Sequence, residues 1–144
     1  MTLVAAAVRA VSARGARIVA AVGNDGPAAP PAYPASYPDV IAVTAVDARD
    51  RVLPEAGRAA HVDYAAPGAE MSAAAPAGGL TAVRGTSFAA PIVAGRLARL
   101  LHDPDPSAAA RALAALDRQT KPARGDGAGH GVIGDDVRLA PARR

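Results

Sequence analysis

The chain has 144 residues, a formal net charge of +3 at pH 7 and no cysteine. This length suits one domain with a modest core, and the absence of cysteine excludes disulfides, thiolate metal sites and cysteine nucleophiles. Three tyrosines and one phenylalanine are the only aromatic residues, and the arginines are scattered along the sequence. The chain therefore lacks both the basic stripe and the aromatic stacking platform that nucleic-acid binding needs. No apolar run is long enough to span a bilayer, and Arg143 and Arg144 are expected to form a solvated tail.

The N-terminal half predicts a helix followed by strands of a parallel sheet. Apolar residues recur at helical spacing before Gly15, which predicts an amphipathic helix that ends there. The residues of this apolar side are Leu3, Val4, Ala7, Val8 and Val11. The apolar run 17–22 predicts a buried parallel strand. A loop rich in Gly, Pro, Asn and Asp follows, and Val40–Val46 is predicted to form a second strand because β-branched residues dominate it.

The C-terminal half predicts further strands, two helices and a short final element. Strands are expected around residues 61–68 and 80–83. One helix is predicted from Ser87 to about residue 101, and a second, capped by Ser107, to about residue 118. The tail begins with glycines and then offers one short apolar element. Helix–strand alternation with apolar strands predicts an α/β fold, a three-layer sandwich with a mainly parallel sheet.

Two loops carry polar side chains where strands give way to helices, which is where ligands bind in open α/β sheets. Asn24 follows the first strand and can supply an amide N–H donor. Ser87 stands where a strand turns into a helix, and a helix N-terminus favours an oxyanion beside it. A simpler interpretation is also open: Ser and Thr are common N-caps, and Pro91 is compatible with a first turn. The residues alone allow both a cap and half of an acyl-transfer site.

Other site classes fit the sequence less well. An α/β-hydrolase needs Gly-x-Ser-x-Gly around its nucleophile, but Ala89 stands at the last position. A phosphate-binding P-loop needs Gly-Lys-Ser/Thr, and no such run exists. The carboxylates of segments 47–55 and 125–136 lack the alternating spacing of a calcium loop, which favours flexible, solvated turns.

The segment GTSFAAPIVAG resembles the nucleophile motif of the subtilisin-like serine proteases (subtilases, peptidase S8 family), approximately Gly-Thr-Ser-x-Ala-x-Pro-x-Val-Ala-Gly. Other segments match this family in the same order. IVAAVGNDG is similar to its oxyanion-hole asparagine segment, YPASYPDVIAVTAVD to the following loop and strand, HVDYAAPGAEM to the strand before the serine, and GHGVIG to the stretch before its last helix. One departure is Ile92, where many members carry a histidine that is not the catalytic base.

The resemblance implies a role for each matched residue. Ser87 is the nucleophile that attacks the scissile carbonyl and forms an acyl-enzyme. Asn24 donates its side-chain amide to the oxyanion, beside the backbone N–H of Ser87. Thr86 shapes the turn, and Gly85 permits a close backbone approach. The substrate's P1 pocket is bordered by four residues: Val22, Gly23, Ala32 and Tyr33.

The resemblance also implies that residues 1–144 are the C-terminal portion of a subtilisin-like peptidase domain. The family's order is Asp, His, Ser, and its Asp and His motifs lie upstream of the asparagine segment. We therefore expect this chain to lack both and to be inactive alone, because Ser87 has no general base. The sequence does not contain the family's His-Gly-Thr motif around any of its three histidines, His61, His102 and His130. We expect these histidines at the surface or in loops. Asp25 is expected to be a solvated loop residue.

The implied function is a serine endopeptidase acting on polypeptides, with a complementary N-terminal segment as the partner that supplies Asp and His. No cofactor is assigned from the residues and no metal ligand is proposed; the resemblance implies calcium for many family members, mostly through segments that do not appear in this sequence. Secretion is the family's usual route, so an extracytoplasmic location is expected for the intact protein. The alternative is a non-catalytic remnant that binds peptides or a partner.

Overall fold

The structure, a computed structural model, describes residues 2–139. In chain order its elements are α1 (Leu3–Ser12), β1 (Ile18–Ala21), β2 (Val40–Val46), β3 (Tyr64–Pro67), β4 (Met71–Ala74), β5 (Leu80–Val83), α2 (Thr86–Ala98), α3 (Pro106–Asp117) and a 3-10 turn (Asp135–Val137). The predicted tail residues Arg143 and Arg144 lie outside the described part of the chain. Within residues 2–139, no helix has the length and apolar character needed to cross a membrane.

A parallel sheet with the order β1-β2-β3 forms the centre of the fold. Ile18 lies opposite Val40, and Val43 lies opposite Tyr64. All seven residues of β2 are buried, as its β-branched sequence predicts for a strand covered on both faces. The α/β class and the parallel sheet are therefore confirmed.

A separate antiparallel hairpin, β4–β5, precedes the serine motif. β5 was predicted, but β4 was not, because its sequence MSAA offers little β-branched signal. Leu80, Thr81 and Ala82 of β5 are exposed. The strand before Ser87 is thus outside the parallel sheet, and the chain passes from this hairpin directly into α2.

The main core lies between the sheet and α2, which packs across all three parallel strands. Val93 and Leu97 of α2 are buried against Ile41 and Val43 of β2, and Leu116 of α3 extends the same cluster. Removing these apolar side chains from water drives the packing. Ile92 of α2, together with Leu100 and Leu101 just beyond its end, packs against this cluster.

The opposite side of the fold is built from small residues and is less completely covered. Val22, Ala35 and Ala42 form a second buried cluster there. α1 forms as predicted but buries only Val8 and Ser12, and its Leu3 is 90% exposed. Among residues 2–139, most of the apolar side of α1 therefore contacts solvent rather than a second layer.

The start of α3 differs from the prediction. Asp105 is the N-cap, and its carboxylate accepts a hydrogen bond from Ala108 N at 2.8 Å. Ser107 lies inside the first turn, and its hydroxyl donates to Asp105 Oδ1 at 2.5 Å. The prediction of a Ser107 cap was wrong because Pro106 occupies the first helical position, which proline favours, and leaves the cap to the residue before it.

Candidate active site

Asn24 lies in the turn that follows β1. Val22 N still donates to Val43 O at 3.0 Å, and Gly23 then turns the chain with a φ of +85°. The exposed Asn24 reaches the start of α2, where its Oδ1 accepts a hydrogen bond from Thr86 N at 2.9 Å. Because the oxygen of the amide is used in this bond, its NH₂ group is left as a donor.

Ser87 is the second residue of α2 and is exposed. Gly85 is the N-cap and makes no side-chain capping bond, so the interpretation of Ser87 as a cap was wrong. Phe88 N donates to Gly85 O at 3.2 Å, whereas Ser87 N finds no acceptor among residues 2–139. Pro91 is the sixth helical residue rather than part of the first turn. An exposed hydroxyl therefore stands beside its own unpaired amide.

Gly85 is required at the junction between the hairpin and α2. Its φ is +134°, a conformation that residues with a Cβ rarely adopt. A Cβ at this position would lie 3.3 Å from Asn24 Nδ2 and 3.4 Å from Asn24 Oδ1. Because Gly85 has no side chain, the Asn24 amide can lie close to its backbone.

Thr86 joins the two loops. It is completely buried, and besides its amide bond to Asn24 its hydroxyl donates to Gly23 O at 3.2 Å. Both bonds connect segments more than sixty residues apart in sequence. The expectation that Thr86 shapes the turn agrees with these contacts.

The structure brings three of the four expected pocket residues together. Gly57 N donates to Gly23 O at 2.7 Å, and a Cβ on Gly23 would lie 3.9 Å from the methyl of Ala32. Val22 is only 1% exposed, so it can border a pocket through its backbone but not through its side chain. Tyr33 is 66% exposed and its ring packs against Tyr37 at 4.8 Å.

The three histidines have other neighbours. His61 Nε2 lies 3.0 Å from Val40 O and 3.4 Å from Asp63 Oδ2. His102 follows the end of α2, which carries the chain roughly 16 Å away from Ser87 at 1.5 Å per residue.

His130 lies beside Tyr64 of β3 and Asp117 at the end of α3. Its Nδ1 lies 3.5 Å from Asp117 Oδ1, and its ring is 5.4 Å from that of Tyr64. Burial and the hydrogen bond to Asp117 raise the pKa of Tyr64. Within residues 2–139, no hydrogen bond joins any of the three histidines to Ser87.

Several carboxylates of the two acidic turns form ion pairs at the protein surface. Lys121 Nζ lies 3.0 Å from both Asp50 Oδ1 and Asp135 Oδ2, and Arg138 also binds Asp135. These cations already offset the charge of the carboxylates. Over the described residues, no group of three or more acidic or histidine side chains is arranged to hold a metal ion.

Sequence reasoning missed one pair beside the site, Glu55 and Arg84. The Arg84 guanidinium donates two hydrogen bonds to the Glu55 carboxylate, one of them 2.9 Å long. The residues are 29 positions apart, and no local pattern links them. Only the tertiary structure brings them together.

A model of the subtilase family matches residues 2–134. The chain belongs to the subtilase family. A subtilisin from Bacillus pumilus is 38% identical over 96 residues, which cover 65% of this chain and 34% of that protein. Subtilisin E from Bacillus subtilis (strain 168) is also 38% identical over 96 residues, covering 65% of this chain and 25% of that protein.

Solved subtilase-like structures share the fold. The self-cleaved protease domain of PatA superposes with a TM-score of 0.77 at 29% identity, covering 94% of this chain and 53% of that one. The prenylagaramide maturation protease PagA superposes with a TM-score of 0.71 at 30% identity, covering 90% of this chain and 52% of that one. This subtilase chain thus spans about half of these structures and a quarter to a third of the subtilisins.

Proposed function

We propose that this chain carries the nucleophile half of a serine endopeptidase site that acts on polypeptides. Ser87 attacks the peptide carbonyl, and the Asn24 amide and Ser87 N stabilise the oxyanion that forms. The observation that carries the proposal is the 2.9 Å bond between Asn24 Oδ1 and Thr86 N, which leaves the Asn24 NH₂ group beside the residue preceding the serine. Membership of the subtilase family supports the same assignment.

The reaction needs a general base that takes the Ser87 proton as the acyl bond forms and returns it to the leaving amine. We propose that a complementary N-terminal segment supplies the Asp and His. Two observations support such a partner: among residues 2–139, β1 pairs on one edge only, with β2, and α1 leaves Leu3, Val4 and Val11 exposed. An open strand edge and an apolar helix face both favour coverage by further protein.

The P1 side chain of the substrate is assigned to the space bordered by Val22, Gly23, Ala32 and Tyr33. The approach of the Gly23 turn to Ala32 supports this assignment, since a Cβ on Gly23 would lie 3.9 Å from the Ala32 methyl. The exposed ring of Tyr33 offers an apolar surface at the edge of the same loop.

Labelling by a fluorophosphonate tests the nucleophile in the full natural protein that contains these residues. We expect one label on the peptide carrying Ser87, none in Ser87→Ala, and unchanged labelling in the matched control Ser107→Ala. Asn24→Asp keeps the oxygen that accepts from Thr86 N but loses the NH₂ donor, so peptide turnover should fall. In subtilisin itself, removal of one oxyanion donor lowers kcat roughly 10²–10³-fold.

The same probe separates this proposal from its alternative. Residues 1–144 alone should label no faster than Ser87→Ala, because an unassisted serine hydroxyl is a poor nucleophile. Rapid labelling of the isolated chain would contradict the need for a complementary segment. A full natural protein without labelling at Ser87 would instead favour the non-catalytic, peptide- or partner-binding remnant.

A further inference from the structure

The loop that follows β2 lies against the turn that carries Asn24. Glu55 O accepts a hydrogen bond from Gly26 N at 2.9 Å, and Gly57 N donates to Gly23 O at 2.7 Å. A Cβ on Gly57 would lie 2.3 Å from Val22 O, so the two backbones are in close contact. These two bonds hold the chain on both sides of Asn24.

The side chain of Glu55 reaches the other half of the site. Its carboxylate accepts hydrogen bonds from Arg84 Nε and, at 2.9 Å, from Arg84 Nη2. Such a two-point bond fixes orientation as well as distance. The Arg84 guanidinium also lowers the pKa of Glu55. Arg84 follows β5 and directly precedes Gly85, the cap of the helix that bears Ser87.

Glu55 therefore binds both parts of the site, the Asn24 turn through its carbonyl and the start of α2 through its carboxylate. We propose that Glu55 and Arg84 are positioning residues that fix the separation between the Asn24 amide and Ser87. This role rests on the proposed function of those two residues. The direct bonds from Thr86 to Asn24 and Gly23 join the same segments, and the Glu55–Arg84 pair adds a second connection.

The pair lies at the surface, with Arg84 53% and Glu55 33% exposed. Exposed ion pairs contribute little to global stability. Loss of the Glu55–Arg84 pair should therefore change amide exchange near the site and leave the free energy of unfolding almost unchanged. Asp47 and Glu70 are the other carboxylates whose charges act on Arg84. In a Glu55→Gln variant, Arg84 can turn toward these carboxylates. The test therefore needs one variant at Glu55 and another at Arg84.

Hydrogen exchange of the Thr86 amide is the direct readout, because this amide donates to Asn24. In the full natural protein, Glu55→Gln and Arg84→Gln should each speed its exchange about twofold to fivefold. The charge-swapped double variant Glu55→Arg/Arg84→Glu should restore the rate. High salt should reduce the difference between wild type and variants, because it screens the pair.

The Arg96–Asp136 pair provides the control, since it is also a surface ion pair and Arg96 lies further along α2. In this pair a single nitrogen, Arg96 Nη2, donates to both Asp136 oxygens. Asp136→Asn should leave Thr86 exchange unchanged. Unchanged exchange in both Glu55→Gln and Arg84→Gln would overturn the proposal, as would a swapped variant that exchanges no more slowly than the single variants.

Turnover measurements distinguish this failure from failure of the proposed function. Both pair variants should lower kcat by the same small factor with little change in KM, because the Asn24 donor acts on the transition state. If Ser87→Ala keeps full activity, the proposed function fails. If Ser87→Ala is inactive while the pair variants keep wild-type kcat and Thr86 exchange, only the positioning role fails.

Discussion

At the scale of single residues, one amide links the two halves of the site. Asn24 uses its oxygen to hold the first amide of α2, and this bond orients the NH₂ group that remains. A Cβ at Gly85 would lie tightly against this amide, 3.3 Å from Nδ2, and would push the amide from its position. The backbone conformation of Gly85 therefore affects both the start of α2 and the orientation of the Asn24 side chain.

Replacing Gly85 should disrupt this arrangement. In Gly85→Ala the new Cβ meets the Asn24 amide at about 3.3 Å and the backbone keeps a φ of +134° that alanine rarely adopts. We expect a loss of roughly 1–3 kcal/mol in the free energy of unfolding and faster exchange of the Thr86 amide. Urea denaturation and amide exchange measure the two effects.

Gly95 in the same helix provides the control. A Cβ on Gly95 meets no atom within 4 Å, so Gly95→Ala should stabilise the protein by about 0.5–1 kcal/mol through helix propensity. A Gly85→Ala protein as stable as Gly95→Ala would contradict the role assigned to the Gly85 conformation.

At the scale of elements, the site depends on where helices begin. α2 begins at Thr86 with its cap position occupied by a glycine, which leaves an amide of the first turn without a side-chain partner. α3 begins with a bonded cap and proline in the first turn, and it has no predicted role in chemistry. An unpaired N–H at the start of a helix such as α3 would lower its stability. At the start of α2, an unpaired N–H is available as a hydrogen-bond donor in the site.

The cap of α3 gives a stability prediction. Asp105→Ala removes the acceptor for Ala108 N and should lower the free energy of unfolding by about 1 kcal/mol. Ser107→Ala removes only hydroxyl contacts to Asp105 and Arg111 and should cost less. Urea unfolding of both variants checks the order, and a larger loss in Ser107→Ala would return the cap to Ser107.

At the scale of the whole molecule, ion pairs connect loops that the sheet does not join. Glu55–Arg84 links the site loops, Arg96–Asp136 links α2 to the 3-10 turn, and Lys121 links two acidic turns. The hydrogen bond from Arg84 lowers the pKa of Glu55 below 4.5, and that from Arg96 lowers the pKa of Asp136 below 3.8.

These shifts predict that acid destabilises the protein. A carboxyl group with a lowered pKa in the folded state stabilises it above the unfolded-state pKa, and this stabilisation is lost as pH falls through the folded-state pKa. The urea midpoint should therefore decrease below about pH 4.5. In the double variant Glu55→Gln/Asp136→Asn, the urea midpoint should decrease less as the pH falls. If the double variant and the wild type have the same pH profile, Glu55 and Asp136 do not cause the acid destabilisation.

The sequence by itself determined the elements whose signals are local. β2 was predicted at its observed bounds because β-branched residues dominate its sequence. The predicted helix from Ser87 corresponds to α2, which begins one residue earlier and ends at Ala98. The collinear motifs around Asn24 and Ser87 indicate the family without knowledge of the fold. A periodic pattern or a short motif needs only neighbouring residues to be recognised.

Only the tertiary structure decided which distant groups meet. It placed Asn24 Oδ1 on Thr86 N, joined Glu55 to Arg84, and paired Asp50 and Asp135 of the two acidic turns with Lys121. It also left much of the apolar side of α1 exposed, which periodicity alone cannot reveal. These outcomes depend on how loops between strands pack, and contacts between residues far apart in sequence leave no local pattern to read.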